Sequence, residues 1–293
     1  MELIKLGEKT YYIKNATNIG IYRINDTDVY LIDTGNDKDA GKKILKIVEE
    51  QGWNVKGIIN THSHADHIGG NKIIQDRTNC RIFSHGAEIG FANHTIIETT
   101  LLYGGFPLKE LEENKFLTAK ASKVEELKDN LPEGLKIIEL KGHYFDMIGI
   151  KTSDNVYFLG DALISEETIK KYHVFFLYDI EKYLETLEYL SSLEARFFVP
   201  SHTEAKTDIN DLINLNREKI EEICNVIINI CEKEYTYEEI LKQVFEKYEL
   251  RMNVNQYVLV GWTIKSYLSY LNRQEKLLYK FEDNKMLWYK QDN

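Results

Sequence analysis

Three histidines and one aspartate lie within the six residues from His62 to His67. Residues two apart on an extended segment project to the same side, so His62 and His64 can bind one metal ion together. Asp66 and His67 follow where the chain turns toward the next helix. From there they can reach a second ion about 3.5–4 Å away, the usual spacing in two-metal hydrolytic sites. The segment therefore predicts a metal-binding loop.

The alternative interpretation of this segment is a polar loop that is rich in histidine by chance. The chain has only 8 histidines, and three of them fall here. Such a cluster without a metal would repel itself once protonated and would be costly to bury. We therefore favour metal binding.

The N-terminal half predicts alternating strands and helices. Short β-rich runs at Thr10–Lys14, 19–24 and Asp28–Ile32 predict an antiparallel meander. Apolar residues at helical spacing predict a helix over 37–51, and a buried strand over 55–60 leads into the histidine-rich loop. Further strands are predicted at 80–84, 136–140, 147–152, 156–159 and 197–199, with helices at 71–76 and 179–193. This order predicts a layered α/β fold.

Three later strand ends each carry one more residue that can bind a metal. His143 follows the strand over 136–140, Asp161 follows 156–159 and His202 follows 197–199. Functional side chains commonly lie on loops at the ends of strands, where a rigid scaffold positions them.

The segment 86–131 interrupts this alternation. It contains the pair Gly104-Gly105, then a charged stretch over 109–130 that we interpret as helical, and it shows no strand pattern. An insertion of this size is usually a surface feature or a lid. Tyr103 and Phe106 could therefore cover a pocket with the glycine pair as a hinge. Equally, the segment could be a helical elaboration with no role in substrate binding.

The pattern changes to helices after about residue 205. Helices are predicted over 208–232, from the capping sequence at Thr236 to Tyr248, and over 255–273, followed by two strands at 277–281 and 285–289. We therefore predict a domain over 1–205, containing the insertion 86–131, and a second domain over 206–293.

At the histidine-rich loop the sequence THSHADHIGG resembles the HxHxDH signature of the metallo-β-lactamase-fold hydrolases. The contexts Gly142-His143, Gly160-Asp161-Ala162 and Pro200-Ser201-His202 are similar to the later motifs of that superfamily. The resemblance implies a four-layer αββα sandwich. Three helices followed by a hairpin resemble a winged-helix unit, so we expect a helical, winged-helix-like C-terminal extension.

The resemblance also implies a set of metal ligands. One site would consist of His62, His64 and His143, and a second of Asp66, His67 and His202, with Asp161 bridging the two ions. Asp33, in the Asp-x-Gly at 33–35, is implied as an acceptor for the ring N–H of a ligand histidine. The alternative for Asp33 is an N-terminal cap of the next helix, a role that Asp37 could also fill.

The complete second set of ligands that the resemblance implies argues for two divalent ions. Imidazole with carboxylate makes zinc the default, with iron or manganese also suitable. Two cations that share one water lower its pKa enough to give hydroxide near neutral pH. We therefore predict a dinuclear hydrolase acting on a small ester, thioester or lactone. Asp66 and Asp161 are its predicted catalytic carboxylates, because Asp66 can orient the hydroxide or pass its proton on.

Candidate pocket residues follow from position in the motifs. Tyr144 and Phe145 directly follow His143, where many glyoxalase II relatives have Thr or Ser followed by Pro-Gly, and this departure argues against that subgroup. His173 lies after Asp161, where relatives often place substrate-facing residues, although a hydrogen-bonded structural histidine is the alternative. Tyr103 and Phe106 complete the predicted pocket.

Two further functions remain open. From residue 250 onward, seven basic residues stand against four acidic ones, interleaved with aromatics, which would suit an endoribonuclease whose C-terminal domain binds RNA. Lys280 and Lys285 would then contact the nucleic acid. Aromatics at helical spacing more often form a core or a homodimer contact, and the net charge of −10 also disfavours RNA. A non-catalytic binding module is disfavoured because every ligand position is filled.

Composition sets the expected compartment. No apolar run approaches 18 residues, so no membrane span is predicted, and the first residues lack the apolar core of a secretory signal. The 3 cysteines, Cys80, Cys224 and Cys231, are scattered, and we expect them to be reduced and mostly buried. These features predict a cytoplasmic protein with a small-molecule substrate.

Overall fold

The computed structural model describes residues 1–291. Its strands are β1 (Glu2–Lys5), β2 (Thr10–Lys14), β3 (Ile19–Arg23), β4 (Asp28–Ile32), β5 (Asn54–Ile59), β6 (Arg81–Ser84), β7 (Val124–Glu126), β8 (Leu135–Glu139), β9 (Ile148–Thr152), β10 (Val156–Gly160), β11 (Phe197–Pro200), β12 (Leu277–Glu282) and β13 (Lys285–Lys290). Its helices are α1 (Lys38–Glu50), α2 (Ala65–Ile68), α3 (Asn71–Thr78), α4 (Ala87–Asn93), α5 (Ile96–Tyr103), α6 (Lys109–Glu112), α7 (Glu166–Tyr172), α8 (Ile180–Ser191), α9 (Asn210–Ile230), α10 (Tyr237–Lys247) and α11 (Val254–Arg273).

The first sheet has seven strands in the order β1 to β7. Strands β2 to β4 form the predicted antiparallel meander, β1 adds a further antiparallel strand at its edge, and β4 to β7 are parallel. Side chains alternate between its faces, as the period of a strand requires. Tyr22 and Ile32 face the second sheet, whereas Ile21 and Leu31 pack against α1 and α3.

The second sheet has four strands in the order β11-β10-β9-β8. Ile150, Phe158 and Val199 join the core between the two sheets. Tyr157 and Phe198 point the other way, into the core formed with α8 and the C-terminal helices. Helices thus cover the outer face of each sheet, and the predicted four-layer αββα sandwich is confirmed.

The insertion 86–131 differs from its prediction. The helix expected over 109–130 ends after α6, and the expectation of no strand is wrong, because Val124–Glu126 forms β7 on the open edge of β6. Three residues are too short for a strand pattern to show in the sequence. Their backbone partners come from a strand some forty residues earlier, in the register Ile82↔Val124 to Ser84↔Glu126. Strand β1 and helix α7 were also not predicted.

The C-terminal part has the predicted order of three helices and a hairpin. Helix α10 begins with a complete capping box between Thr236 and Glu239. The core that covers the second sheet includes Ile223 of α9, Leu241 of α10 and Tyr267 of α11, so apolar packing continues across residue 205. The domain boundary at 205 and the likeness to a winged helix stay predictions. Within residues 1–291, no helix is both long and apolar enough to cross a bilayer.

Candidate metal centre

Three histidine nitrogens converge where β5 ends. His62 is fully buried in the loop after β5, and His64 is the residue that precedes α2. His64 Nδ1 lies 3.0 Å from His62 Nε2 and 3.1 Å from His143 Nε2. We call His62, His64 and His143 cluster one. Their spacing is close to the edge of about 3.3 Å that zinc–nitrogen bonds of about 2.0–2.1 Å give in a tetrahedral site.

A second group forms beside it from Asp66, His67 and His202, which we call cluster two. Asp66 Oδ2 lies 3.6 Å from His67 Nε2 and 3.3 Å from His202 Nε2. Helix α2 holds Asp66 and His67 on adjacent positions, while His202 comes from the loop after β11. Ligand atoms from α2 and from the loop after β11, which are far apart in sequence, therefore meet at one edge of the sandwich.

The carboxylate of Asp161 lies between the two clusters. Its Oδ1 is 3.2 Å from His67 Nε2, and its Oδ2 is 3.3 Å from His202 Nε2 and 3.6 Å from His143 Nε2. Asp161 follows β10, whose last residue, Gly160, has φ of 55° and turns the chain at the strand end. One carboxylate can thus serve both clusters.

The chemistry of these donors suits divalent cations. The buried atoms His67 Nε2 and Asp161 Oδ1 have no hydrogen-bond partner among the described residues. Buried polar atoms are rarely left unpaired, so these two atoms suit a bound cation. Burial lowers the pKa of His64 to about 3 and that of His143 to about 4, so both rings are neutral at pH 7. Neutral imidazole is the form that binds metals.

Outer contacts orient the ligand atoms of cluster two. His67 donates from Nδ1 to Asp33 Oδ2 at 2.9 Å, and His202 donates from Nδ1 to the Ala16 carbonyl at 2.8 Å. Asp33 also accepts from the backbone N–H of Thr61 at 2.8 Å. Asp33 has a left-handed φ of 62° and does not cap α1, a role that belongs to Asp37. Both Nε2 atoms are thereby directed toward Asp161.

The contact between Asp33 and His67 gives a first prediction. Asp33→Asn keeps a side chain that tolerates the left-handed conformation but removes the charge that orients His67. We expect metal affinity at cluster two to fall about 10–100-fold, measured by competition with a chelator. Asp37→Asn is the matched control, because asparagine also caps helices and cluster two is untouched. Equal metal affinities in the two variants would show that Asp33 does not support metal binding at cluster two.

Two buried glutamates of the insertion support the centre. No sequence pattern distinguishes them from surface glutamates. Glu88 of α4 accepts hydrogen bonds from Ser63 N at 3.0 Å, Ser63 Oγ at 2.6 Å and Asp146 N at 3.0 Å. Glu98 of α5 accepts from the hydroxyl of Tyr144, and its Oε1 lies 3.7 Å from His64 Nε2. Burial raises the pKa of Glu88 to about 7 and that of Glu98 to about 8.

The raised pKa of Glu88 predicts a pH dependence of stability. The Glu88 carboxyl holds its proton more tightly in the folded chain than at its ordinary pKa of 4.5. The contribution of this proton to the free energy of unfolding is therefore complete below pH 4.5. That contribution is lost as the pH rises through about 7. Between these pH values we expect the free energy of unfolding to fall by about 3 kcal/mol more than in Glu88→Gln. Urea titrations across this window measure the difference, and parallel pH profiles would contradict the expectation.

A cavity of about 410 Å³ opens over both clusters. Its walls come from three separate parts of the chain: the insertion, the segment 164–176, and the first turns of α11. Insertion residues Glu98, Phe116 and Leu117 line it, so the insertion contributes to the pocket. Helix α11 joins it through Asn255, Gln256, Leu259 and Val260.

None of the five predicted pocket side chains lines this cavity, which corrects that part of the prediction. Tyr144 is buried behind His64 and bonds to Glu98, and Phe145 stacks on Tyr178 at 3.9 Å. Tyr103 and Phe106 are exposed at and beyond the end of α5, which terminates at the left-handed Gly104. His173 stacks on Tyr248 of the C-terminal part at 5.0 Å and faces Lys219. Proximity in sequence to a ligand did not place these side chains in the cavity.

One solved structure has a similar fold, and two curated proteins are similar in sequence. A metallo-beta-lactamase family protein from Thermus thermophilus has a TM-score of 0.72 at 17% identity, covering 98% of this chain and 100% of that one. The Beta-lactamase-like protein 2 homolog of Drosophila melanogaster is 22% identical over 258 residues, 84% of this chain and 79% of that protein. A hydroxyacylglutathione hydrolase of Prochlorococcus marinus is 23% identical over 244 residues, 80% of this chain and 88% of that protein.

The sequence profile of the Metallo-beta-lactamase superfamily matches residues 13–202, which include all seven residues of the two clusters and Asp161. This span reaches from β2 to the loop after β11. The chain belongs to the metallo-β-lactamase superfamily.

Proposed function

We propose that this chain is a dinuclear metal-dependent hydrolase that cleaves a small ester, thioester or lactone. One observation carries the proposal: the two clusters share Asp161 at the base of a cavity of about 410 Å³. Small-molecule sites usually enclose about 300–1,000 Å³. Similarity to proteins named as hydrolases supports the reaction class.

Cluster one would hold one divalent ion and cluster two the other, with Asp161 contacting both. Zinc suits the mixture of imidazole and carboxylate, and iron or manganese fit the same donors. Such ions lower the pKa of a shared water and polarise the oxygen of a carbonyl group.

In this proposal, Asp66 would move a proton. Its carboxylate lines the cavity, and its Oδ2 accepts a hydrogen bond from Thr17 Oγ1 at 3.0 Å. Burial opposes ionisation of Asp66, but the nearby histidines, His67 first, hold its pKa below the usual range. The ionised carboxylate can accept a proton from an attacking water and pass it to the leaving group.

The contacts of the C-terminal part favour a small molecule over RNA. Lys280 lies 2.8 Å from Glu234 and 2.6 Å from Glu282, so its charge is balanced locally. Tyr267 and Trp288 are buried in the core and are not available to stack on bases, whereas Tyr279 and Phe281 of the hairpin are exposed. Helix α11 instead contributes to the cavity wall. We therefore propose a substrate-pocket role for this part of the chain.

The test is a substrate screen on protein loaded separately with zinc, iron(II) or manganese. Neutral thioesters, esters and lactones are compared with a phosphodiester and with RNA. We expect hydrolysis of at least one acyl substrate, abolished by a chelator and restored by the metal. Cleavage of RNA or the phosphodiester alone, or no turnover with any metal, would contradict the proposal.

A further inference from the structure

We infer that the cavity binds an uncharged substrate with an apolar acyl chain, held jointly by the insertion, the segment 164–176 and helix α11. This inference rests on the proposed function and specifies its substrate class. Three independent features carry it: an apolar wall that begins at cluster one, an exposed aromatic side chain at the cavity, and the absence of lysine and arginine from the lining formed by the described residues.

The apolar wall reaches the metal-binding histidines. The ring centroid of Phe176 lies 5.2 Å from that of His64 and 5.8 Å from that of His143. Phe175 and Ile164 continue the wall along the same segment, and Leu259 adds to it from α11. A carbonyl group placed at the clusters would therefore have its hydrocarbon chain against apolar surface, where burial of each methylene is favourable.

Phe116 extends the apolar surface outward. It lines the cavity, yet 84% of it is exposed to solvent. Its neighbour Leu117 is buried in a small cluster with Leu111 and Val258, which fixes the loop to α11. Asn114 strengthens this attachment by donating to Asn255 Oδ1 at 2.6 Å. A longer acyl chain would cover Phe116 and remove its ring from water.

The lining does not favour an anionic substrate. Within the described residues, no lysine or arginine lines the cavity. A polar groove adjoins the cavity at Ser165 and His202. It contains two lysines, Lys14 and Lys206, and four acidic residues, Glu166, Glu167, Glu204 and Asp211. Lys14 is moreover paired with Glu204. A thioester whose thiol part bears carboxylates would therefore meet a groove in which acidic residues outnumber lysines two to one.

A matched pair of thioesters tests the charge preference. S-hexanoyl-N-acetylcysteamine and S-hexanoylglutathione carry the same acyl group and the same reacting bond, but only the second has carboxylates. We expect kcat/KM of the metal-loaded enzyme to be about tenfold or more higher for the neutral thioester. A preference for the glutathione thioester would overturn the inference while confirming a hydrolase.

The length of the acyl chain and the substitution of Phe116 test the role of the apolar wall. From acetyl to octanoyl thioesters of N-acetylcysteamine, we expect kcat/KM to rise about three- to fourfold per methylene until the wall is filled. Phe116→Ala should lower the octanoyl value about five- to tenfold more than it lowers the acetyl value. Phe106→Ala is the matched control, because Phe106 is an exposed phenylalanine of the same insertion that does not line the cavity. Equal effects of the two variants would overturn the role of Phe116.

A binding measurement separates this inference from the proposed reaction. Acetamide, hexanamide and octanamide are neutral and resist hydrolysis, so calorimetric titration reports the pocket without turnover. We expect affinity to rise along the series and Phe116→Ala to weaken octanamide most. Rising affinity in a protein without hydrolytic activity would overturn the proposed function and support the apolar pocket. Affinity independent of chain length would overturn the inference whatever the activity.

Discussion

Replacing Asp161 with alanine is expected to lower kcat/KM for any acyl substrate by about 1,000-fold or more. Asp161 is the one carboxylate that faces both clusters, at 3.2 Å from His67 and 3.6 Å from His143. Its loss would leave cluster one with three neutral imidazoles and no carboxylate, and cluster two with the charge of Asp66 alone. We also expect the metal content to fall below two ions per chain, measured by elemental analysis after dialysis.

Asp129→Ala is the control for this substitution, because it removes the same charge from an exposed position in the insertion. It should retain full activity and metal content. An Asp161→Ala enzyme with activity within about tenfold of the unchanged chain would show that the carboxylate does not serve both clusters.

Glu88→Ala is expected to lower the free energy of unfolding by about 3–5 kcal/mol. The carboxylate is completely buried and accepts three hydrogen bonds, two from Ser63 and one from the backbone of Asp146. Alanine would leave these donors buried and unpaired. Because Ser63 lies between His62 and His64, we also expect weaker metal binding at cluster one.

Urea denaturation of the metal-free chain measures the stability change separately from metal binding. Glu110→Ala, at an exposed position of the same insertion, should change stability by less than about 0.5 kcal/mol. If Glu88→Ala lowered the free energy of unfolding no more than Glu110→Ala does, water would have to satisfy the Ser63 and Asp146 donors.

Local sequence patterns were sufficient for most of the sandwich. The meander β2 to β4 consists of short β-rich runs separated by turn residues, and its pairing is antiparallel as expected. Most residues of the two clusters, and Asp161, stand after a strand or within the loop that follows one, whereas Asp66 and His67 lie in the short helix α2 after β5. Convergence of strand ends therefore followed from the fold class, and the distances between these side chains agree with it.

Features that depend on tertiary partners did not show in the sequence. Strand β7 is three residues long and exists because the edge of β6 offers it hydrogen bonds. Glu88 and Glu98 look like other glutamates of a charged insertion, but their helices turn them toward Ser63 and Tyr144. The cavity wall draws on α11, which lies about a hundred residues after Asp161 and has no motif that links it to the clusters.

The central claim is that two cations bind between the two clusters, and anomalous diffraction from crystals soaked in zinc tests it most directly. We expect two peaks per chain, one within bonding distance of His62, His64 and His143 and the other of Asp66, His67 and His202, with Asp161 touching both. The second peak should vanish in His202→Ala while the first persists. No peak at these residues, or two peaks unchanged by that substitution, would contradict the account.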